Sequence, residues 1–367
     1  MKIAILTQPL RANYGGVLQN FALQQVLIKL GHIPITLEKD PFLRISKLKL
    51  FFNFPKRLFT KYILKKRKYI LYEKHHNNYI KEISSLLKPF ISKYINRKFV
   101  KSLDTIDYNR YDAFIVGSDQ IWRPLYNWGM LYNMFLSFIP KDTKIKRIAY
   151  AASFGATEWE FNEEQTKVCS NLITNFNAVS TREIDGIELC KKYLGYNNAI
   201  NVLDPTLLLK KEDYIQLCKN VPTTIEDLLF AYILDVNHNT KDQLEKIAKE
   251  KGLKLKLVSA HDNCSLSIEE WLAMFRDAKM VITDSFHGTV FSIIFNKEFF
   301  SICNQSRGNS RFNSLLHQFN LQDRLFNDVN SVNPNSNQID WKMIENTKSL
   351  LQTKSIKFLT DNLNSDA

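Results

Sequence analysis

Residues 278 to 300, AKMVITDSFHGTVFSIIFNKEFF, are apolar enough to be buried except where Asp284, Ser285 and His287 interrupt them. A carboxylate, a hydroxyl and an imidazole within four residues can accept, donate and move protons, and Gly288 beside them allows backbone to approach a ligand closely. Their flanks say where they lie. MVIT has the character of a strand and TVFSIIF that of a buried helix, so the polar residues sit where a strand hands over to a helix. The first N–H groups of such a helix lack partners within it and attract anions. His287 at that position is suited to gripping a phosphate or exchanging a proton with a substrate, and helix capping is the plainer role open to it and to Asp284.

Other strand ends carry similar signals. TQPLRANYGGVLQN places Asn13, Tyr14, Gly15 and Gly16 between a first strand and a first helix, a turn able to admit a phosphate or sugar, although it is neither GxGxxG nor a Walker loop. STRE puts Arg182 past a strand, where it can clamp a carboxylate or phosphate or pair with a neighbouring acid. GSDQIWRP offers Ser118, Asp119, Gln120 and Trp122 in one loop; the Trp122 ring suits either sugar stacking or a lid over the core.

The elements that must position these residues alternate. KIAILT, IPITLE, YDAFIVGS, KRIAYAAS and NAVSTRE read as strands separated by helical stretches. A second set follows from LLFAYIL through KLKLVSA and MVITDS to EFFSIC. INVLDPT, 200 to 206, reads as the seam. The expectation is α/β, with two Rossmann-like parallel-sheet domains facing a cleft: residues 1–199 on the acceptor side, 200–335 on the donor side, and a helical segment, 336–367, packing on the body. The 367 residues, 45% hydrophobic, are enough to fill two cores.

Charge is unevenly spread. The chain carries +13, yet residues 44–101 hold 17 Lys or Arg against Glu73 and Glu82, or +15, which leaves about −2 elsewhere. The basic excess therefore lies in an insertion, about 41–105, that interleaves lysines with Phe, Tyr, Ile and Leu at near-helical spacing. A solvated basic face is the plain expectation. Peripheral contact with an anionic membrane through residues 44–101 is the sharper one. No nucleic-acid signature accompanies the charge, and no nucleic-acid partner is expected. Cys169, Cys190, Cys218, Cys264 and Cys303 are scattered singly, which suits reduced thiols. Neither a metal site nor a cofactor is expected. The start, MKIAILTQPL, reaches proline too soon for a signal peptide, so a cytoplasmic location, peripheral to the inner face of the plasma membrane, is expected.

Taken in order, NYGGVLQNFAL, VGSDQIW, IAYAASFG, VSTREIDG, VLDPTLLL and DSFHGTVFSI resemble bacterial polysaccharide pyruvyl transferase family proteins, over most of residues 1–320 outside the insertion. The resemblance implies a fold similar to the B-type glycosyltransferases and transfer of an enolpyruvyl-derived group from phosphoenolpyruvate to a sugar or lipid-linked oligosaccharide, closing a cyclic pyruvate ketal. It implies that Arg182 and His287 match the family arginine and histidine at the donor, with Ser285 and Gly288 beside them. Asp119 is the candidate base, an inference from the chemistry. Asn13, Tyr14, Gly15, Gly16 and Trp122 would line the acceptor side. Two positions depart from the pattern. Ser285 stands where family members tend to carry arginine, so either Arg307 or Arg311 compensates or the donor is not phosphoenolpyruvate, and Gly16 replaces an acidic residue found in some members. A nucleotide-sugar glycosyltransferase, with Glu269 or Glu270 holding a ribose, and a non-catalytic glycan- or anion-binding protein are the alternatives.

Overall fold

The computed structural model describes residues 1–65, 69–223, 226–259, 265–303, 308–335 and 337–364. The first half runs β1 (Lys2–Leu6), α1 (Tyr14–Lys29), β2 (Ile33–Lys39), α2 (Lys47–Tyr62), α3 (Tyr72–Ser84), α4 (Lys88–Tyr94), β3 (Arg97–Val100), β4 (Ala113–Val116), β5 (Lys146–Ala152), α5 (Glu163–Ile173), β6 (Ala178–Thr181), α6 (Asp185–Leu194) and β7 (Ile200–Asn201). These seven strands form one parallel sheet in the order β3-β2-β1-β4-β5-β6-β7. Every residue of β4, β5 and β6 is buried, because helices or loops cover both faces of the sheet, and this is why they read as continuous apolar runs.

The second half comprises α7 (Lys211–Cys218), β8 (Leu228–Ile233), α8 (His238–Glu250), β9 (Lys254–Ser259), α9 (Ile268–Asp277), β10 (Ala278–Thr283), α10 (Phe286–Ile294), β11 (Glu298–Ile302), α11 (Ser310–Gln318), β12 (Leu325–Phe326) and α12 (Trp341–Asn364). Its five strands are also parallel, ordered β12-β11-β10-β8-β9. The fold is thus two parallel-sheet α/β domains. Strand order reverses at β1/β4 in one sheet and at β8/β10 in the other, and crevices open at such points.

The insertion differs from expectation at its end. Three helices, α2 to α4, occupy most of it, but Arg97–Val100 is a strand that pairs with β2, adding an edge to the first sheet. Its alternation is hidden because an edge strand need not bury its side chains, and Arg97 spends its charge on Glu38, Nη1 to Oε2 at 3.2 Å.

The domains share core. Tyr14, at the start of α1, stacks on Trp271 of α9 with ring centroids 5.2 Å apart, and its hydroxyl donates to Leu266 O at 2.8 Å. α10 is buried along its whole length, which explains why TVFSIIF is apolar on every side. α12 crosses back to the first sheet: Phe358 packs against Tyr150, and Ser355 Oγ accepts from Leu203 N. Cys169, Cys190, Cys218 and Cys303 are free thiols, and Cys264 lies outside the described residues.

Candidate functional site

The two strand-order reversals face each other. The loop after β1 brings Gln8, Pro9, Ala12 and Asn13; the loop after β4 brings Asp119 and Gln120; β8 and β10 end in Tyr232, Leu234, Asp284, Ser285, Phe286 and His287; α11 brings Arg311. Together with Tyr126 they enclose a cavity of about 380 Å³, within the range of small-molecule sites, roughly 300 to 1,000 Å³.

Each wall is fixed by local chemistry. Asn13 caps α1, its side-chain oxygen accepting from Gly16 N at 3.1 Å, which leaves its amide nitrogen 3.5 Å from Asp119 Oδ2. Asp119 holds a left-handed backbone, φ 65°, which aspartate tolerates better than most residues and which is frequent where function demands strain. Ser285 caps α10, accepting from Gly288 N. Asp284 accepts from Leu234 N at 2.6 Å and Asp235 N at 3.3 Å, tying the ends of β8 and β10 together rather than capping α10.

Beneath the cavity wall lies a buried cluster that the sequence does not reveal. Asp204 Oδ2 takes Arg182 Nη1 at 3.0 Å and Ser118 Oγ at 3.3 Å, and stands 3.5 Å from His287 Nε2. Its Oδ1 takes Thr206 N and Oγ1. Burial by itself would raise the Asp204 pKa; His287, Arg182 and Thr206 overcome it and hold the carboxyl well below the usual range. Arg182 also pairs with Glu183, Nε to Oε1 at 3.0 Å, and stands 3.8 Å from Asp119, with its guanidinium 4.4 Å from the Phe286 ring centre. Burial would lower the arginine pKa, but these three carboxylates raise it above its ordinary value. Among the described residues, the guanidinium on the cavity wall is that of Arg311. Burial first, then Arg182, pushes its pKa down to about 10.

The expected residues meet different fates. His287, Asp119, Ser285, Asn13 and Arg311 converge on the cavity. Arg182 is buried behind it, occupied by acids, and does not line it. Four expected contacts give way to structural roles. Trp122 is wholly buried, stacked on Phe135 at 4.8 Å and donating to Met134 O, so no face is open to a sugar. Tyr14 serves the domain junction. Gly16 meets the Asn13 cap, and Gly288 is needed where α10 packs on β10, since a Cβ there would lie 2.2 Å from Thr283 Oγ1. Gly15 has a different neighbour from the one expected: a Cβ would lie 2.0 Å from His287 Nδ1, so this glycine seats the histidine against α1. Arg307 lies outside the described residues. Of the two ribose candidates, both in the first turn of α9, Glu270 is spent on a capping box with Ser267. Among the described residues no group of three or more His, Cys, Asp or Glu is placed to hold a metal, and no described helix is long and apolar enough to cross a membrane.

A family model described as polysaccharide pyruvyl transferase matches residues 13–306. No curated protein matches the chain significantly. Among solved structures, the chain is similar to UDP-N-acetylglucosamine 2-epimerase from Rickettsia bellii (11% identity, 98% of this chain and 96% of that one, TM-score 0.49). It is also similar to the Neisseria meningitidis UDP-GlcNAc 2-epimerase (11%, 99% and 99%, 0.47) and to the E. coli ADP-heptose lps heptosyltransferase II (10%, 96% and 99%, 0.39).

Proposed function

The chain belongs to the polysaccharide pyruvyl transferase family, and on that premise we propose that it transfers a pyruvyl group from phosphoenolpyruvate to a sugar of a cell-surface polysaccharide or its lipid-linked precursor, closing a pyruvate ketal across two hydroxyls. The observation that carries this is the convergence of Arg311, His287 and Asp119 on one cavity between two strand-order reversals.

In this mechanism His287 protonates the methylene carbon of the donor, making carbon 2 electrophilic, while Asp204 steadies the imidazolium. A sugar hydroxyl adds to carbon 2, giving its proton to Asp119. Phosphate then leaves with the proton that Asp119 took, and the second hydroxyl closes the ring on carbon 2, its proton passing to the neutral imidazole of His287 and restoring the starting state. Arg311 and the N-terminus of α10 meet the donor's carboxylate and phosphate, so the cation missing at Ser285 comes from α11. The donor's negative charge offsets the cost of burying the Arg311 guanidinium beside Arg182. Arg182 acts one step back, holding Asp204 and Asp119 in place.

A lipid-linked acceptor would be met at a membrane, and α2 is suited to that surface. It exposes Leu48, Phe51, Phe52, Phe59 and Tyr62, with Lys49 and Lys56 among them. Aromatic residues inserted at the headgroup level with lysines on anionic lipid would hold the chain on the cytoplasmic leaflet. Lys66, Arg67 and Lys68 of the same basic run lie outside the described residues.

The test is to incubate the protein with phosphoenolpyruvate and glycan-bearing lipid extracts, then follow phosphate release and product mass. Release that needs both substrates, with a product heavier by one pyruvate less one water, supports the proposal. Release of a nucleoside diphosphate from added nucleotide sugars, with phosphoenolpyruvate unconsumed, would instead indicate sugar transfer.

A further inference from the structure

The cleft continues beyond the candidate site. Gln8, Pro9 and Tyr126 also wall a second cavity of about 290 Å³, over the C-terminal end of β2 and against the start of the basic insertion. Its lining is mixed: Glu38, Asp40, Arg11, Lys39 and His76 carry charge or can, and Thr7, Gln8 and Asn127 add neutral hydrogen-bonding groups. Glu38 is 7% exposed, and its Oε2 takes Arg97 while its Oε1 has no hydrogen bond and lies 3.9 Å from Arg11 Nε. Arg11 Nε is likewise buried without a hydrogen-bond partner. A buried carboxylate oxygen and a buried guanidinium nitrogen held 3.9 Å apart with no hydrogen bond to either are costly, and burial raises the pKa of the one and lowers that of the other.

A hydroxyl can satisfy both, donating to Glu38 Oε1 and accepting from Arg11 Nε. Leu43 and Met130, also in the lining, offer apolar contact to the C–H face of a ring. Glu38 and Asp40 are set against Arg11 and Lys39 in the lining, so no excess of either sign selects an anion or a cation, and the ligand that fits is a neutral polyhydroxyl one.

We propose that this second cavity is a glycan subsite, which holds the sugar next to the one in the main cavity through a hydroxyl shared by Glu38 and Arg11. Calling that glycan the acceptor rests on the transferase proposal; its binding here does not. The protein would therefore read at least a disaccharide, and the residues that set its preference would include some contributed by the insertion, Leu43 at the rim among them.

The experiment titrates glucose, galactose, mannose and N-acetylglucosamine, each as the free sugar and as its β1,4-linked disaccharide, against the full chain. At least one disaccharide should bind about tenfold or more tightly than its own monosaccharide, the gain expected from a hydrogen bond to a buried charge. Leu43→Trp, at a partly exposed position, and Glu38→Gln should each bring that ratio close to one. If Glu38→Gln does not fold, Leu43→Trp alone decides. A panel in which no disaccharide outdoes its monosaccharide, or a ratio that survives Leu43→Trp, overturns the subsite. Phosphoenolpyruvate titrated on the same samples separates the two proposals: its failure to bind beside an intact ratio removes the transferase and leaves the subsite, whereas binding without the ratio removes the subsite alone.

Discussion

His287 Nε2 stands 3.5 Å from Asp204 Oδ2, the same oxygen that takes Arg182 Nη1 at 3.0 Å. An imidazole from the second domain and a guanidinium from the first thereby share one buried carboxylate. Proton chemistry at His287 depends on this joint, because Asp204 is the charge against which an imidazolium would form.

Asp204→Asn should unfold more easily by about 3 kcal/mol at pH 7, since Arg182 and His287 lose a buried counter-charge. The folded carboxyl titrates below its unfolded value of about 3.9, so its contribution is complete above that pH and fades as pH falls toward the folded value. Urea unfolding of both proteins should give a constant gap down to about pH 4 and a shrinking one below it. A gap that widens in acid would contradict the pairing.

Gly15→Ala places a methyl where His287 Nδ1 now lies. A histidine displaced by about 1 Å should cost roughly 100-fold in kcat, with a stability loss of about 1–3 kcal/mol. Steady-state kinetics beside a thermal melt measure the two, and unchanged turnover would free His287 from its proposed role.

Arg311→Met should separate stability from binding. With its pKa depressed to about 10, the buried guanidinium opposes folding at neutral pH, and that opposition is relieved only as pH rises through the folded value. The apolar replacement should change the free protein's stability little, the relief of that burial being set against the loss of the contacts Arg311 makes in the fold, while removing donor affinity. Denaturant midpoints and a phosphoenolpyruvate titration on one preparation check both halves. Destabilisation with affinity retained would make Arg311 structural.

Phe51→Asp with Phe52→Asp should release the protein from anionic vesicles. Two buried rings are worth about 3–6 kcal/mol in sum, so cosedimentation with phosphatidylglycerol vesicles should drop more than tenfold. Equal pelleting of variant and parent would return the insertion to a solvated face.

Much of the fold was legible because parallel strands buried on both faces are short apolar runs and the helices between them keep their spacing. β3 escaped because an edge strand need not alternate. In the site, His287 and Asp119 stood out as polar residues at strand ends, a position with a physical meaning. Asp204 did not: next to a proline it reads as a turn residue, and only the folded chain shows it buried beneath both domains. Trp122 misled for the converse reason, since nothing local distinguishes a stacking indole from one covered by Phe135. Arg182 is expected at the donor, with pairing to a neighbouring acid as the alternative; the fold shows the pairing, with Glu183 and Asp204, contacts that sequence spacing does not report.

The most direct measurement is isothermal titration of phosphoenolpyruvate into the wild-type chain, His287→Ala and Arg311→Met, with a uridine nucleotide as competitor. The proposed function requires saturable binding that both substitutions weaken at least about tenfold and the nucleotide leaves untouched. No heat from phosphoenolpyruvate, together with binding of the nucleotide in the same cavity, would contradict it.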